Sequence, residues 1–299
     1  MNENLNAKKE AKALERAGKS SLQKRNLQKF LSNRMAVLGA TILFIMVLAA
    51  IFAPLLTPYD PSYINMAEKG LPPGPGHLLG TDRTGRDIFA RILYGGRLSI
   101  LIGVVSALGA TLLGTILGCI AGYYGGWVDK ILVAFGELFS VFPQYLLILL
   151  FVGLAGQSTA NLFIIFIATG WTGMMRIVRS RILSLKQEPY IESCRANGIG
   201  GFSVMFHHML PNCLGPVIVN ATLAVAGYIL AEAGLSYLGM GVPSTAVTWG
   251  NIINGAKRLD IIQTMPALWL APGLSIALFV LSINFFGDGL RDVLDPTSI

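Results

Sequence analysis

Residues 190–212 read YIESCRANGIGGFSVMFHHMLPN, a polar stretch broken by Gly198, Gly200 and Gly201 between two long apolar runs. Pro189 suits the first turn of a helix, where its missing N–H costs nothing, and Glu192 suits the same N-terminal region. That helix is expected to run to Ala196. Asn197 and Gly198 tolerate positive φ and end it. A second short helix, FSVMFHHML, is expected to stop at Pro211, where the next apolar run begins. The product is a helix–turn–helix elbow whose apolar side chains Ile191, Phe202, Met205 and Phe206 have nothing evident in the chain to cover them. An ordinary connection would be shorter, since most links take a handful of residues. An apolar patch on a polar elbow reads instead as a docking surface for another protein.

The flanking runs set the class. The chain of 299 residues is 53% hydrophobic and only 13% charged, with a mean hydropathy of +0.61; soluble domains carry roughly 25% charged residues. Met35 to Leu56, Leu98 to Tyr123 and Ile261 to Gly287 contain no Asp, Glu, Lys or Arg, and each can span hydrocarbon as a helix of ~20 residues. Ile131 to Gly156 (holding Glu137), Ala160 to Met175, and Val217 to Gly241 (holding Glu232) complete six expected spans. The fold class is an all-α membrane protein with six transmembrane helices. Its expected layout is a basic tail over 1–34, a first span over 35–57 closed by the Pro54–Pro61 region, an outer segment over 58–97, and a five-helix core over 98–299 with its connecting loop at 176–211. The first apolar run is too long for a cleaved leader.

Nine of the 23 Lys and Arg precede Met35, and five more fall between Arg176 and Arg195. With both termini in the cytosol, 16 of the 23 lie on the cytosolic side, as the positive-inside rule asks. The net charge of +7 therefore reports topology and contact with membrane lipid, not a nucleic-acid partner.

Catalytic and metal-binding patterns are missing. ALERAGKS (13–20) resembles a phosphate-binding loop but has Ala13 where glycine is needed and no strand before it, so no nucleotide is expected in this chain. His207 and His208 point ~100° apart on a helix, and His77 is expected at the other membrane face. Cys119, Cys194 and Cys213 have no metal or disulfide spacing and read as packing residues. Glu137 and Glu232 lie within spans, where a carboxylate is costly; both are expected to be structural, bonded to neighbouring helices or close to an interface.

Two further patterns stand out. Ala110, Gly114, Gly118 and Gly122 recur every fourth residue, a stripe that lets helices approach closely, within the chain or across to a second membrane subunit. In HLLGTDRTGRDIFARILYGGRLSI (77–100), Thr84 and Asp87 are spaced as a capping box. A short amphipathic helix from about Gly85 is expected there, with Ile88, Phe89, Ile92 and Leu93 on one face and an Asp87–Arg91 pair at four-residue spacing.

The spacing of Glu192, Gly198 and Leu210–Pro211 resembles the EAA loop of the inner-membrane subunits of ABC importers, with Ser193 and Cys194 in place of the two alanines and His208 where Ile is common. LGTDRTGRDIFARILYGGRLSI, GYYGGWVD, TGWTGMMRIVRS, ILAEAGLSYLGMGV, TWGNII and GDGLRDVLDP are similar to segments of the C-type permeases for dipeptides, oligopeptides and nickel. The resemblance begins near Leu27. It implies the type I importer permease fold, with the coupling helix in the cytosolic loop between helices 4 and 5, in a bacterial inner membrane. The implied partners are a B-type permease, two ATPase subunits that bind ATP and Mg, and an extracytoplasmic solute-binding protein. It assigns ATPase coupling to Ile191, Glu192, Ser193, Cys194, Arg195, Ala196, Asn197, Gly198, Ile199, Phe202, Met205, Phe206, Leu210 and Pro211. Glu192 would orient the elbow through its helix end and nearby basic residues, and Gly198 would make the turn. The outer-loop signature falls on Gly80, Thr81, Asp82, Gly85, Arg86, Asp87, Arg91 and Arg97. Peptides are the implied cargo, with nickel, glutathione or antimicrobial peptides as alternatives; no substrate-binding residue is assigned. A self-contained channel or secondary carrier would want a charged path through the bilayer, and an anchored signalling scaffold would bind partners without moving solute.

Overall fold

The computed structural model describes residues 25–294; the tail before residue 25, including ALERAGKS, and the last five residues lie outside it. The described residues form helices joined by short connections and one longer segment over 57–87. After α1 (25–32), α2 covers Arg34–Ile51 and is capped by Asn33, whose side chain accepts from the Ala36 N–H at 3.1 Å. Pro54 sits in the first turn of the four-residue α3 (Ala53–Leu56) that closes this span.

Helix α4 runs unbroken from Ile88 to Tyr124. The separate amphipathic helix expected before the second span is its first turns. Gly95 and Gly96 do not interrupt it: they remove side chains where the short helix α10 (Trp249–Asn254) closes on α4, so that a Cβ on Gly96 would lie 3.1 Å from the Trp249 ring. At 37 residues, α4 is roughly 55 Å long and outruns the ~30 Å hydrocarbon layer.

The third expected span is two helices. Helix α5 (Gly126–Val141) and α6 (Gln144–Ala155) meet at 88°. Pro143 removes a donor and disfavours the helical conformation of Phe142, which is extended at φ −91°, ψ 140°. Helix α7 follows over Thr159–Leu185, then α8 over Pro189–Ala196. Next comes α9, continuous from Gly201 to Leu238. The break expected at Pro211 does not occur. Val204–Met209 adopt the wider π-helical turn just before it, which moves aside the carbonyl that a proline ring would meet. The chain ends with α10, α11 (Leu259–Thr264) and α12 (Ala267–Leu294). Among the described residues five helices are long and apolar enough to cross a membrane, and the bent pair supplies a sixth crossing if it is one span.

The bundle turns on the contact between α4 and α7. Ala110, Gly114, Gly118 and Gly122 are all buried, and the partner is within the chain. A Cβ on Gly114 would stand 2.5 Å from the Trp171 carbonyl oxygen, on Gly118 2.7 Å from that of Met175, and on Gly122 2.8 Å from the Ile182 Cβ. Around this seam lie two apolar clusters. The larger one, at mid-bundle, includes Phe166, Ile229, Trp249 and Phe279. The smaller one joins Cys119, Val178, Ile182 and Cys213 at the end that carries α8, here termed the elbow end. All three cysteines are free.

Gly118→Val should drive α4 off α7 and destabilise the chain by about 1–3 kcal/mol, the usual cost of overpacking. Gly153→Ala, which meets nothing within 4 Å, should cost nothing. Thermal unfolding of both variants in detergent checks this; equal melting points would remove the seam from its central place.

Candidate functional site

Helix α8 begins with Pro189 in its first turn and has Glu192 there too. Its end is a Schellman motif. The Gly198 N–H donates to the Arg195 carbonyl at 3.0 Å and the Ile199 N–H to the Cys194 carbonyl at 3.1 Å, with Gly198 at φ +73°. Asn197 Nδ2 adds a bond to the Ser193 carbonyl at 2.8 Å. This closure depends on a residue without a side chain at 198, because a Cβ is disfavoured in the left-handed region.

The elbow is fixed to three helix ends. Ile191 and Met205 are 0% and 2% exposed and lie in one cluster with Cys119, Met174, Val178, Ile182, Val204 and Met209. They are therefore anchors: the expectation that they present an uncovered apolar face is corrected, because the ends of α4 and α7 cover them. Lys186 Nζ donates to the Tyr123 carbonyl at 2.9 Å, neutralising the C-terminal end of α4. The Arg195 guanidinium lies 5.2 Å from the centre of the Tyr123 ring, and Asn212 Nδ2 reaches the Tyr190 hydroxyl at 3.2 Å.

Several elbow residues remain outside. Phe202 is 67% exposed and packs, tilted by 40°, against the half-buried Phe206 at 4.5 Å between ring centres. Tyr190 and Ile199 are exposed beside it, as are Glu192, Ser193, Arg195, Ala196, Asn197 and Pro211, with Cys194 and Leu210 intermediate. Glu192 has no ion pair among the described residues. The expected link to neighbouring basic side chains is not made, which leaves its carboxylate pointing to solvent in the first turn of α8.

At the opposite end the outer-loop residues form one bonded turn. The Asp82 carboxylate accepts from the Thr84 N–H at 2.8 Å, the Thr84 hydroxyl at 2.7 Å, the Arg86 N–H at 3.1 Å and Arg86 Nε at 2.7 Å. Burial opposes its charge, but the bonds from Thr84 and Arg86 and the Arg86 charge outweigh this and hold it below the usual carboxylate range. Thr81 Oγ bonds the Glu68 carbonyl and accepts from the Leu71 N–H at 2.9 Å. Gly80 and Gly85 both take positive φ.

Two expectations fail here. Thr84 is spent on Asp82, so no capping box forms; Asp87 itself caps α4, accepting from the Ala90 N–H at 2.6 Å. Its second oxygen binds His77 Nδ1 at 2.8 Å, while buried Arg91 turns to Asp82 at 3.6 Å instead of Asp87. Arg97 stands apart and donates to the Ala50 and Ile51 carbonyls at 2.6 and 2.8 Å, closing the end of α2.

Of the two intramembrane acids, Glu232 is structural. It is fully buried, accepts from the Ser236 hydroxyl at 2.7 Å, and lies 3.4 Å from the Ser99 hydroxyl, which in turn accepts from the Trp249 N–H. Glu137 is exposed and makes no hydrogen bond or ion pair among the described residues, so of the two expected placements the bond to a neighbouring helix is not made. Sequence reading also missed the bidentate Arg179–Asp129 pair, at 2.5 and 2.6 Å, that ties α5 to α7; opposite charges at the near ends of consecutive spans were its available signal.

A multi-span helical bundle with an elbow packed on helix ends at one side and a bonded turn at the other defines an integral membrane component. The chain belongs to the family described as binding-protein-dependent transport system inner membrane component, whose model matches residues 114–298; residues 21–73 match the N-terminal transmembrane domain of oligopeptide transport permease C. It is 41% identical to the dipeptide transport system permease protein of Alkalihalophilus pseudofirmus over 88% of this chain and 86% of that protein. It is 37% identical to the oligopeptide transport system permease protein of Bacillus subtilis over 92% and 90%. A glutathione transport system permease protein of Pectobacterium atrosepticum is 36% identical over 90% and 89%.

The lowered Asp82 value fixes a pH dependence. Its bonds stabilise the turn above the ordinary carboxylate value of about 3.9, and that contribution is lost as pH falls through the lower folded value. Amide exchange at Thr84 and Arg86, corrected for intrinsic rates, should stay slow from neutral pH down to this range and accelerate below it. Asp82→Asn should abolish the step; an unchanged profile in that variant would assign it to another group.

Proposed function

We propose that this chain forms half of the membrane passage of an ATP-driven peptide importer and that its elbow seats on a separate ATPase subunit. The observation that carries this reading is the two-sidedness of α8 and the start of α9. One side, Ile191 and Met205, is locked into the ends of α4, α7 and α9. The other offers Tyr190, Ile199 and Phe202 to solvent. A body docked on the second side pushes directly on the first. Glu192 is free to meet a cation of the partner, and Gly198 fixes the angle between α8 and α9.

The remaining assignments follow from the family. The elbow end and both termini face the cytosol, in keeping with the bias of Lys and Arg toward that side. A B-type permease completes the passage, two ATPase subunits bind ATP and Mg and hydrolyse the nucleotide, and a solute-binding protein delivers cargo to the outer turn around Asp82. This chain contributes no catalytic residue. Peptide cargo is favoured by the names of the dipeptide and oligopeptide relatives. Glutathione, itself a tripeptide, is the second reading on the strength of the Pectobacterium relative.

The test is gentle solubilisation of the chain from native membranes followed by mass spectrometry of what accompanies it and by peptide-stimulated ATP hydrolysis. Two ATPase subunits and a second permease are expected; a chain that purifies alone would sink the reading. Within the complex, Gly198→Val puts a β-branched residue at φ +73° at a cost of roughly 1–3 kcal/mol. It should lower peptide uptake more than it lowers ATPase retention. Phe202→Ala should instead release the ATPase while leaving the chain's own thermal stability unchanged.

A further inference from the structure

The outward positions of the spanning helices fall into two kinds. On α2 they carry Leu38, Phe44, Ile45 and Ile51, and on α4 Leu101, Val105, Leu108, Leu112 and Ile116, as contact with hydrocarbon demands. On α5 and α7 the exposed positions mix apolar Phe135, Leu138 and Val141 with polar Glu137, Ser140, Arg176 and Ser180, and Gln144 lies across the bend. Gly136, where a Cβ would lie 3.1 Å from the Met175 side chain and 3.6 Å from the Trp171 ring, seats this stretch of α5 against the middle of α7. Glu137 is thus an exposed carboxylate beside the middle of a spanning helix. It has no hydrogen bond or ion pair among the described residues, whereas Arg176 donates Nη2 to the Ser140 hydroxyl.

Hydrocarbon cannot receive these polar groups. Ionisable side chains at that depth turn to a water-filled cavity or to a partner. Non-helical backbone at membrane depth, here the exposed Phe142–Pro143 bend, is tolerated only where it lines a cavity or is covered by protein. We propose that this face lines the aqueous passage, with Glu137 receiving the cationic amino group of the cargo and Arg176 its carboxylate. The assignment of cargo chemistry rests on the peptide-importer reading above. Every free peptide carries both charges whatever its side chains, so a carboxylate and a guanidinium on adjacent helices would read the termini without regard to side-chain identity. A guanidinium fork suits a carboxylate in particular.

Accessibility tests the passage without reference to cargo. Single variants Ser140→Cys, Glu137→Cys and, as lipid-facing controls, Leu108→Cys and Leu112→Cys are made in a full chain whose native Cys119, Cys194 and Cys213 are replaced. They are assayed in permeabilised native-host vesicles, where the chain keeps its own partners. A charged, membrane-impermeant methanethiosulfonate should label the first two at least about tenfold faster than the controls, because only a hydrated thiol ionises readily. Rates equal to the controls would overturn the passage, whether lipid or a second subunit covers the face, and would leave the peptide reading standing. With Glu137 intact, trialanine should slow labelling of Ser140→Cys and N-acetyl-trialanine should not; equal protection by both would overturn the role of Glu137. In the native-cysteine chain, Glu137→Gln should lower uptake of limiting trialanine by about tenfold, the loss of one charge-assisted bond; unchanged uptake would overturn that role as well. Fast labelling in a transporter that moves no peptide at all would instead fail the peptide reading and, with it, the cargo chemistry assigned to Glu137 and Arg176.

Discussion

The close approach of α4 and α7 is the contact on which the rest of the molecule hangs. Three glycines and an alanine bring backbone against backbone, and nothing larger fits where a Cβ would already meet a carbonyl at 2.5–2.7 Å. In hydrocarbon, helices gain nothing by merely hiding apolar surface from water, so such tight packing is what holds them. Once α4 and α7 are paired, their ends form the floor on which Ile191 and Met205 settle. Their outer faces position α5 through Arg179 and Asp129, and the Gly95–Gly96 site on α4 admits Trp249. The elbow, the bent pair and the loop-end helices are each fastened to this one pair.

Polar groups in the bundle are distributed by the same economy of space. Glu232 is enclosed and bonded to Ser236 and Ser99, which also binds the backbone of α10, so it stitches three elements without facing solvent. Asp82 and Asp87 do comparable work outside the spans, one gathering the turn and the other starting α4. Glu137 breaks the pattern, exposed and without a hydrogen bond or ion pair among the described residues, whereas the outward residues along the middle of α4 (Leu101, Val105, Leu108, Leu112 and Ile116) are apolar. Its contrast with Glu232, of the same residue type and also within a span, is what separates a scaffold group from one reserved for contact with something else.

Much of this was legible in the chain. Charge-free runs marked the spans, since nothing but a membrane tolerates them at such length, and Pro189 with Asn197–Gly198 bounded α8 at Pro189–Ala196. The four-residue stripe was legible as close packing, though not its partner. What could not be read was whether a breaker breaks. A separate amphipathic helix before the second span and a break at Pro211 were expected, yet α4 and α9 continue, the first with Gly95–Gly96 making room for α10 and the second because a π turn precedes the proline. Pro143 does break its helix, hidden in a run whose hydropathy alone suggested one span. The facing of Ile191 and Met205 was equally opaque, because the surfaces that cover them come from other helices, Cys119 of α4 and Met174, Val178 and Ile182 of α7. Thr84 shows the same limit on a small scale: its spacing fitted a cap for α4, but Asp82 was nearer.

The unbroken path of α9 has a mechanical consequence. At 38 residues it is roughly 57 Å long, so a tilt of about 5° pivoted at the elbow carries its other end through about 5 Å. Proline at 211 and 216 and the π turn at Val204–Met209 all lie in its first half, nearest the elbow. Compliance is therefore gathered at one end of a rod whose remainder is regular helix. A tilt of that size about the elbow end would displace Glu232, roughly 46 Å along the rod, by about 4 Å, a shift that the bonded Glu232–Ser99 junction would have to absorb.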